Sequence, residues 1–205
     1  MTLVHSLLSA FAVLWLALAI RPHDRTVWIA ENTLSVLAVI AILWTYPKWP
    51  LSDLSYVLIV MFLVLHTIGG HYTYVRVPYE ELARAVLGLE IRQRFGWLRN
   101  HYDRLVHFCY GLLVGYPLFE LLERYAQPAT GWSYVLSPAL IMATSMIFEV
   151  IEWWAAALLS KGSGAAYLGS QGDEWDAQKD MALAALGSII AMVAVAALLR
   201  TAAGR

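Results

Sequence analysis

The chain has 205 residues, of which 60% are hydrophobic and 14% are charged, with a mean hydropathy of +0.60. A soluble domain has about 25% charged residues, so this composition excludes an ordinary soluble protein. Lys and Arg number 14 against 15 Asp and Glu, and this balance provides no basic surface for nucleic acid. The single Cys109 excludes an internal disulfide and is interpreted as a small apolar residue.

Six long apolar blocks follow one another along the chain, and a membrane span needs roughly 20 such residues. The first block has no Lys or Arg before it, so we interpret it as a retained span and not as a signal peptide. Without a repeat or a separate soluble domain, residues 1–205 are expected to form one all-α membrane bundle. The six predicted membrane helices are Leu3–Ile20, Val27–Tyr46, Leu54–Ile68, Leu105–Leu122, Tyr134–Leu159 and Met181–Leu199.

The distribution of Lys and Arg predicts the orientation of these spans, because cytoplasmic connections carry the excess of positive charge. Ten of the 14 basic residues follow spans one, three and five, and the other four lie on the opposite side. The odd-numbered connections are therefore expected in the cytoplasm, and both termini are expected on the other side of the membrane.

The long connection from Gly69 to Arg104 contains one helix-like stretch. Pro78 is followed by Glu80 and Glu81, a favourable helix start with acids at the positive end of the dipole. Apolar residues then recur at helical spacing among arginines, which predicts an amphipathic helix on the inner leaflet; the alternative is a solvated connector. These apolar residues are Leu82, Val86 and Leu89.

Ionisable residues are concentrated at one end of the predicted spans, although successive spans alternate in direction. Residues three or four apart share one face of a helix, and several of these acids and histidines have that spacing. In hydrocarbon such groups are costly unless they are paired, protonated or bound to a cation. The candidates are His66, His71, Asp103, His107, Glu149, Glu152, Asp173, Asp176 and Asp180, with Glu31 and Asn32 at the same depth.

Converging histidines and carboxylates predict a divalent metal ion. Mixed nitrogen and oxygen ligands suit zinc, manganese or iron, whereas carboxylates alone would suit calcium or magnesium. A bound cation would lower the pKa of a bound water. In that case Glu149 or Asp180 is the expected general base. The expected metal ligands are His66, His71, Asp103, His107, Glu152, Asp173 and Asp176.

Two alternatives to metal binding stay open for these acids. Asp173 and Asp176 lie where a helix is expected to begin, and acids in a first turn simply complement the helix dipole. Asp103 lies close in sequence to Arg99 and Arg104, so it has a nearby counter-charge for an ion pair.

Four motifs carry a resemblance to a known family: HTIGGHYTY at 66–74, DRLVHF at 103–108, EVIE at 149–152 and GDEWDAQKD at 172–180. With these motifs in matching order, the chain resembles the YjdF-type inner membrane proteins over roughly residues 25–195. The resemblance implies a multi-pass protein of the bacterial inner membrane, in a family whose domain has no assigned function. In such a membrane the distribution of Lys and Arg predicts that both termini are periplasmic. DRLVHF is also similar to the VanZ-like membrane proteins.

Three functions are compatible with these features. The first is a metal-dependent membrane enzyme acting on a lipid or lipid-linked headgroup, with the glycine-containing stretch Lys161–Gly172 as a lip over the site. The second is a proton- or cation-coupled carrier, which the lack of repeat halves disfavours. The third is a non-catalytic scaffold. Membrane lipids are the expected partners.

Overall fold

The computed structural model describes residues 2–158 and 170–203, which contain eight α-helices and no strand. A π-helical turn, Leu122–Ala126, extends the sixth helix. Residues 161–169, most of the expected lip, lie outside the described residues. In chain order the helices are α1 (Leu3–Leu18), α2 (Arg25–Thr45), α3 (Asp53–His71), α4 (Tyr79–Leu87), α5 (Ile91–Phe95), α6 (Tyr102–Leu121), α7 (Ser133–Leu158) and α8 (Asp176–Ala203).

Five of these helices are long and apolar enough to cross a bilayer: α2, α3, α6 with its π-helical turn, α7 and α8. The shortest, α3, has 19 residues and spans about 28 Å, close to the thickness of a hydrocarbon core of roughly 30 Å. Helix α1 is also apolar but has only 16 residues. The expected all-helical membrane architecture is therefore confirmed.

Local sequence signals fix where several helices begin and end. The Asp24 carboxylate caps α2 by accepting hydrogen bonds from the amides of Thr26 and Val27, at 2.8 and 3.0 Å. The Ser52 hydroxyl caps α3 in the same way. Gly88 ends α4 in the left-handed conformation, at φ 64°, which glycine adopts without strain.

Helices α6 and α8 form the most closely packed pair. A Cβ atom on Gly111 would lie 1.9 Å from the Ala184 carbonyl oxygen, and one on Gly187 would lie 2.2 Å from the Phe108 carbonyl oxygen. Only glycine permits such an approach, as at other interfaces of small residues between membrane helices. Gly111 faces Ala184 while Gly115, one turn later, faces Ala191, so the two helices run parallel. Their first turns therefore lie side by side.

The other long helices pack on α6 or on α3. Helices α3 and α7 pack against α6, α7 also packs against α8, and α1 and α2 pack on α3. Apolar clusters that include Val4, Ile42 and Tyr56 on one side and Phe119 and Val195 on the other fill the end where α1, α3 and α7 begin. We call the opposite end, where α2, α6 and α8 begin, the polar end of the bundle.

Candidate functional site

Side chains from α6 and α8 form the first group of buried polar residues at the polar end. Asp103, His107 and Asp180 each offer one potential ligand atom, and these atoms lie within 4.8 Å of one another. Nε2 of His107 lies 3.7 Å from Oδ1 of Asp103 and 3.5 Å from Oε1 of Glu149 on α7. We call Asp103, His107, Glu149 and Asp180 the His107 cluster. The parallel register of α6 and α8 brings Asp180 beside His107.

Two carboxylate oxygens of the His107 cluster have no hydrogen bond within the described part of the chain. Oδ1 of Asp180 and Oε1 of Glu149 are buried and have no hydrogen-bond partner among the described residues. A buried polar atom without a partner costs about 1–3 kcal/mol, and more when it is charged. Glu152 is a further buried acid of this region, with Asp103, Glu149 and Asp180 among its electrostatic neighbours. Carboxylate oxygens without partners around an imidazole fit the donor set of zinc, manganese or iron.

A second group surrounds His66 on α3. Nε2 of His66 lies 3.1 Å from the carbonyl oxygen of Glu31, and Nδ1 lies 2.6 Å from the hydroxyl of Tyr74. Since a carbonyl oxygen only accepts, Nε2 donates and Nδ1 accepts from Tyr74. Burial, with the Glu31 charge next, raises the pKa of Tyr74 well above its usual value, so its hydroxyl keeps the proton that it donates. Both nitrogens of His66 therefore have protein partners.

His71 lies apart from both groups. Its Nδ1 donates to the carbonyl oxygen of Leu18 at 2.7 Å, and its ring packs against His23 and Tyr72. This contact joins the end of α3 to the connection between α1 and α2, where the His23 amide also donates to the His71 carbonyl oxygen at 3.0 Å. The geometry gives His71 a role in holding this corner of the bundle together.

A third group consists of Arg99, Arg104, Asp173 and Asp176, which we call the arginine clasp. Arg99 contacts both oxygens of Asp176, at 2.7 and 3.1 Å, and Arg104 bonds to Asp173 and, at 3.1 Å, to Asp176. Hydrogen bonds from Lys179, the Trp175 amide and Arg104 lower the pKa of the Asp173 carboxyl. The two aspartates thus have cationic partners in the protein.

A cavity of about 360 Å³ lies between α2, α3, α6 and α7. Its wall at the polar end contains His66, Tyr74, Asp103 and His107, and the rest is mostly apolar. Phe148 packs close to both imidazoles, with its ring centre 6.4 Å from that of His66 and 5.7 Å from that of His107. The volume is within the range of small-molecule sites, roughly 300–1,000 Å³.

The structure thus divides the residues that the sequence grouped together. Asp103, His107, Glu149 and Asp180 meet, with Glu152 nearby, whereas His66, His71, Asp173 and Asp176 have other partners. The sequence left open an ion pair between Asp103 and Arg99 or Arg104. In the structure these two arginines instead pair with Asp173 and Asp176. Sequence reasoning placed Glu31 at the correct depth without giving it a partner. It gave no role to Tyr74, which lies beyond the end of a span.

The fold and the site define a multi-pass helical membrane protein with acids and histidines buried at one end. The family model described as "Predicted membrane protein (DUF2238)" matches residues 3–201, and the chain belongs to this family. Inner membrane protein YjdF of Escherichia coli (strain K12) is 35% identical over 179 residues, which cover 86% of this chain and 81% of that protein. No solved structure matches significantly. The expected YjdF-type resemblance and inner-membrane location are confirmed.

Proposed function

We propose that Asp103, His107 and Asp180 bind one divalent metal ion and that the protein is a membrane enzyme acting on a lipid or lipid-linked substrate. The observation that carries this proposal is the pair of buried carboxylate oxygens, on Asp180 and Glu149, that have no hydrogen-bond partner in the described part of the chain. A cation held by Asp103, His107 and Asp180 would offset the repulsion between the acids of the cluster and supply the partner that Asp180 lacks.

The catalytic roles follow from position within the His107 cluster. A divalent ion held by Asp103, His107 and Asp180 would polarise a substrate oxygen or lower the pKa of a bound water. Asp180 is assigned as a ligand, because one of its carboxylate oxygens lies within 4.8 Å of a carboxylate oxygen of Asp103 and a ring nitrogen of His107. Glu149 is assigned as the general base, because its Oε1 stands 3.5 Å from His107 Nε2.

Four other expected ligands are not part of the proposed site, because each already has a partner in the protein. Both ring nitrogens of His66 have protein partners, and His71 points to Leu18. Asp173 and Asp176 are neutralised by arginines. Removing them from the arginines in order to bind a metal would leave two guanidinium groups without counter-charges.

A lipid substrate is supported by the position of the cluster at one end of an apolar cavity. A carrier would need polar groups toward the opposite end as well. The buried acid there, Glu120, accepts hydrogen bonds from the amide and hydroxyl of Ser52, at 2.9 and 2.8 Å, and pairs with Arg124 at 2.8 Å. This acid is fully engaged in joining α3 to α6, which favours the enzyme over the carrier.

We also propose that α1 is a sixth span, that both termini are periplasmic and that α4 lies on the inner leaflet. The 10-to-4 distribution of Lys and Arg supports the orientation. Leu82 and Val86 on α4 are 64% and 69% exposed, as expected for residues that face a bilayer.

Alkaline phosphatase fused to the C-terminus should be active, and a fluorescent protein there should be dark. Strong fluorescence would overturn the orientation.

Chelator sensitivity of thermal unfolding tests the metal proposal. Wild type should lose stability when chelator is added, since a ligand present at 100 times its Kd stabilises by about 2.7 kcal/mol. Asp180→Asn should melt at the same temperature with and without chelator. Glu120→Gln is the matched control, because it removes an equally buried acid from the opposite end and should leave the chelator response intact. Identical melting of wild type with and without chelator, at saturating zinc or manganese, would overturn the proposal.

A further inference from the structure

The cavity beside the His107 cluster is elongated along the bundle. On α6 its lining residues extend from Asp103 to Tyr110, a rise of about 10 Å. At the deep end the hydroxyls of Tyr110 and Thr144 lie 2.6 Å apart in a hydrogen bond. Phe62 is the middle residue of α3 and Thr144 lies near the middle of α7, so the cavity ends near the centre of the bundle.

One side of the cavity is open between two helices in the part of the chain that the structure describes. Its walls include α2 and α7, which are not among the helix pairs in extensive contact. Ile147 and Ile151 of α7 line the cavity and are also 52% and 42% exposed, so they form part of the lipid-facing surface. Leu34 and Ala38 of α2 lie on the other side of this gap and are half-buried. A hydrocarbon chain in the bilayer therefore has a lateral route to the His107 cluster.

We propose that this cavity binds one acyl chain of a membrane phospholipid, which enters sideways between α2 and α7. The ester end of the chain lies at the polar wall formed by His66, Asp103 and His107. Phospholipids are thereby the substrate class of the proposed site. This assignment rests on the proposed function only because it treats the ester end of the lipid as the part that reacts.

The length and the chemistry of the cavity both fit a phospholipid acyl chain. A leaflet is about half of the roughly 30 Å hydrocarbon core, and the cavity likewise extends from the polar end to about mid-span. A longer polyprenyl chain would extend past the hydrogen bond between Tyr110 and Thr144. Phe62, Val106 and Phe148 supply apolar contact along the wall, whereas Ser35 and Ser145 add two hydroxyls without hydrogen bonds among the described residues.

Photolabelling in vesicles tests this inference. The protein is reconstituted in phosphatidylethanolamine and phosphatidylglycerol with a trace of phosphatidylethanolamine that carries a diazirine near one acyl terminus. Labelled residues are mapped by mass spectrometry and should be concentrated at the deep end of the cavity, at Phe62, Tyr110 and Thr144. Ala38→Phe fills the cavity and should reduce this labelling about tenfold. Ala41→Phe, on the exposed side of the same helix, is the matched control and should leave the labelling unchanged.

A second pair of variants keeps the test valid if Ala38→Phe fails to fold. Ser145→Leu fills the cavity from α7 and should also reduce labelling, while the exposed Ala143→Leu should not. Equal labelling of cavity and lipid-facing residues in wild type, or preferred labelling by a diazirine polyprenyl phosphate, would overturn the inference. Cavity labelling that persists in a protein that binds no metal would leave the inference standing while the metal proposal fails.

Discussion

Arg99 binds Asp176 through two parallel hydrogen bonds, from Nη1 to Oδ1 at 2.7 Å and from Nη2 to Oδ2 at 3.1 Å. The contact joins the loop before α6 to the first residue of α8. Both side chains are largely buried, with exposed fractions of 13% and 8%. Two charge-assisted bonds in this geometry hold the two helix starts together at the level of the His107 cluster.

Asp176→Asn should destabilise the protein by about 3 kcal/mol, because it leaves Arg99 and Arg104 largely buried with a weaker partner. Thermal unfolding in detergent measures this loss. Glu174→Gln, which changes an exposed acid two residues earlier, should have almost no effect. Metal affinity should be retained in both variants. An Asp176→Asn protein that melts normally but fails to bind metal would identify Asp176 as a ligand.

The ion pairs of Asp173 predict how its contribution depends on pH. Hydrogen bonds from Lys179, Trp175 and Arg104 lower the pKa of this carboxyl in the folded protein. Its stabilising contribution is therefore fully present above the unfolded pKa of about 3.9 and is lost as pH falls toward the lower folded value. The melting temperatures of wild type and Asp173→Asn should differ by a constant amount above about pH 5 and converge below about pH 4. Convergence already at neutral pH would contradict this assignment.

Tyr74→Phe should destabilise the bundle by about 1–3 kcal/mol, because it removes the hydroxyl that donates to Nδ1 of the buried His66. Tyr72→Phe is the control, since no hydrogen bond of the Tyr72 hydroxyl is seen among the described residues. Thermal unfolding of the two variants measures the difference. If they melt alike, the contact between Tyr74 and His66 contributes little to stability.

Gly111→Ala should be more destabilising than Gly115→Ala. The new Cβ would lie 1.9 Å from a backbone oxygen at residue 111, but 3.3 Å from the Ala191 side chain at residue 115. Separating α6 from α8 to relieve the first clash should cost about 1–3 kcal/mol and move Asp180 away from His107. Unfolding midpoints and metal affinity should therefore both fall for Gly111→Ala. Equal effects of the two substitutions would argue against the observed helix register.

The helices themselves were predictable, because a membrane span and an amphipathic helix leave strong local patterns. The predicted Val27–Tyr46 and the observed Arg25–Thr45 differ by two residues at one end and one at the other. Glu80 and Glu81 after Pro78 correctly predicted a helix, observed from Tyr79 to Leu87. The interfacial position of this helix stays a prediction.

The pairing of the polar groups was not predictable in the same way. Spacing along one helix shows that Asp103 and His107 share a face, but it does not show which acid of another helix lies opposite. That depends on the parallel register of α6 and α8. The glycines four apart at 111 and 115 are a sequence signal for close helix packing and could have indicated this contact. No comparable local pattern in the sequence shows that Arg99 and Arg104 pair with Asp176 and not with Asp103.

Pulsed EPR of Mn²⁺ bound to the purified protein is the most direct test of the proposed metal site. The site contains one imidazole, that of His107, so the spectrum of wild type should show coupling to a single imidazole nitrogen. The coupling should persist in His66→Gln and disappear in His107→Gln. Coupling that is lost in His66→Gln but kept in His107→Gln, or Mn²⁺ that shows no nitrogen coupling in wild type, would contradict a metal site at Asp103, His107 and Asp180.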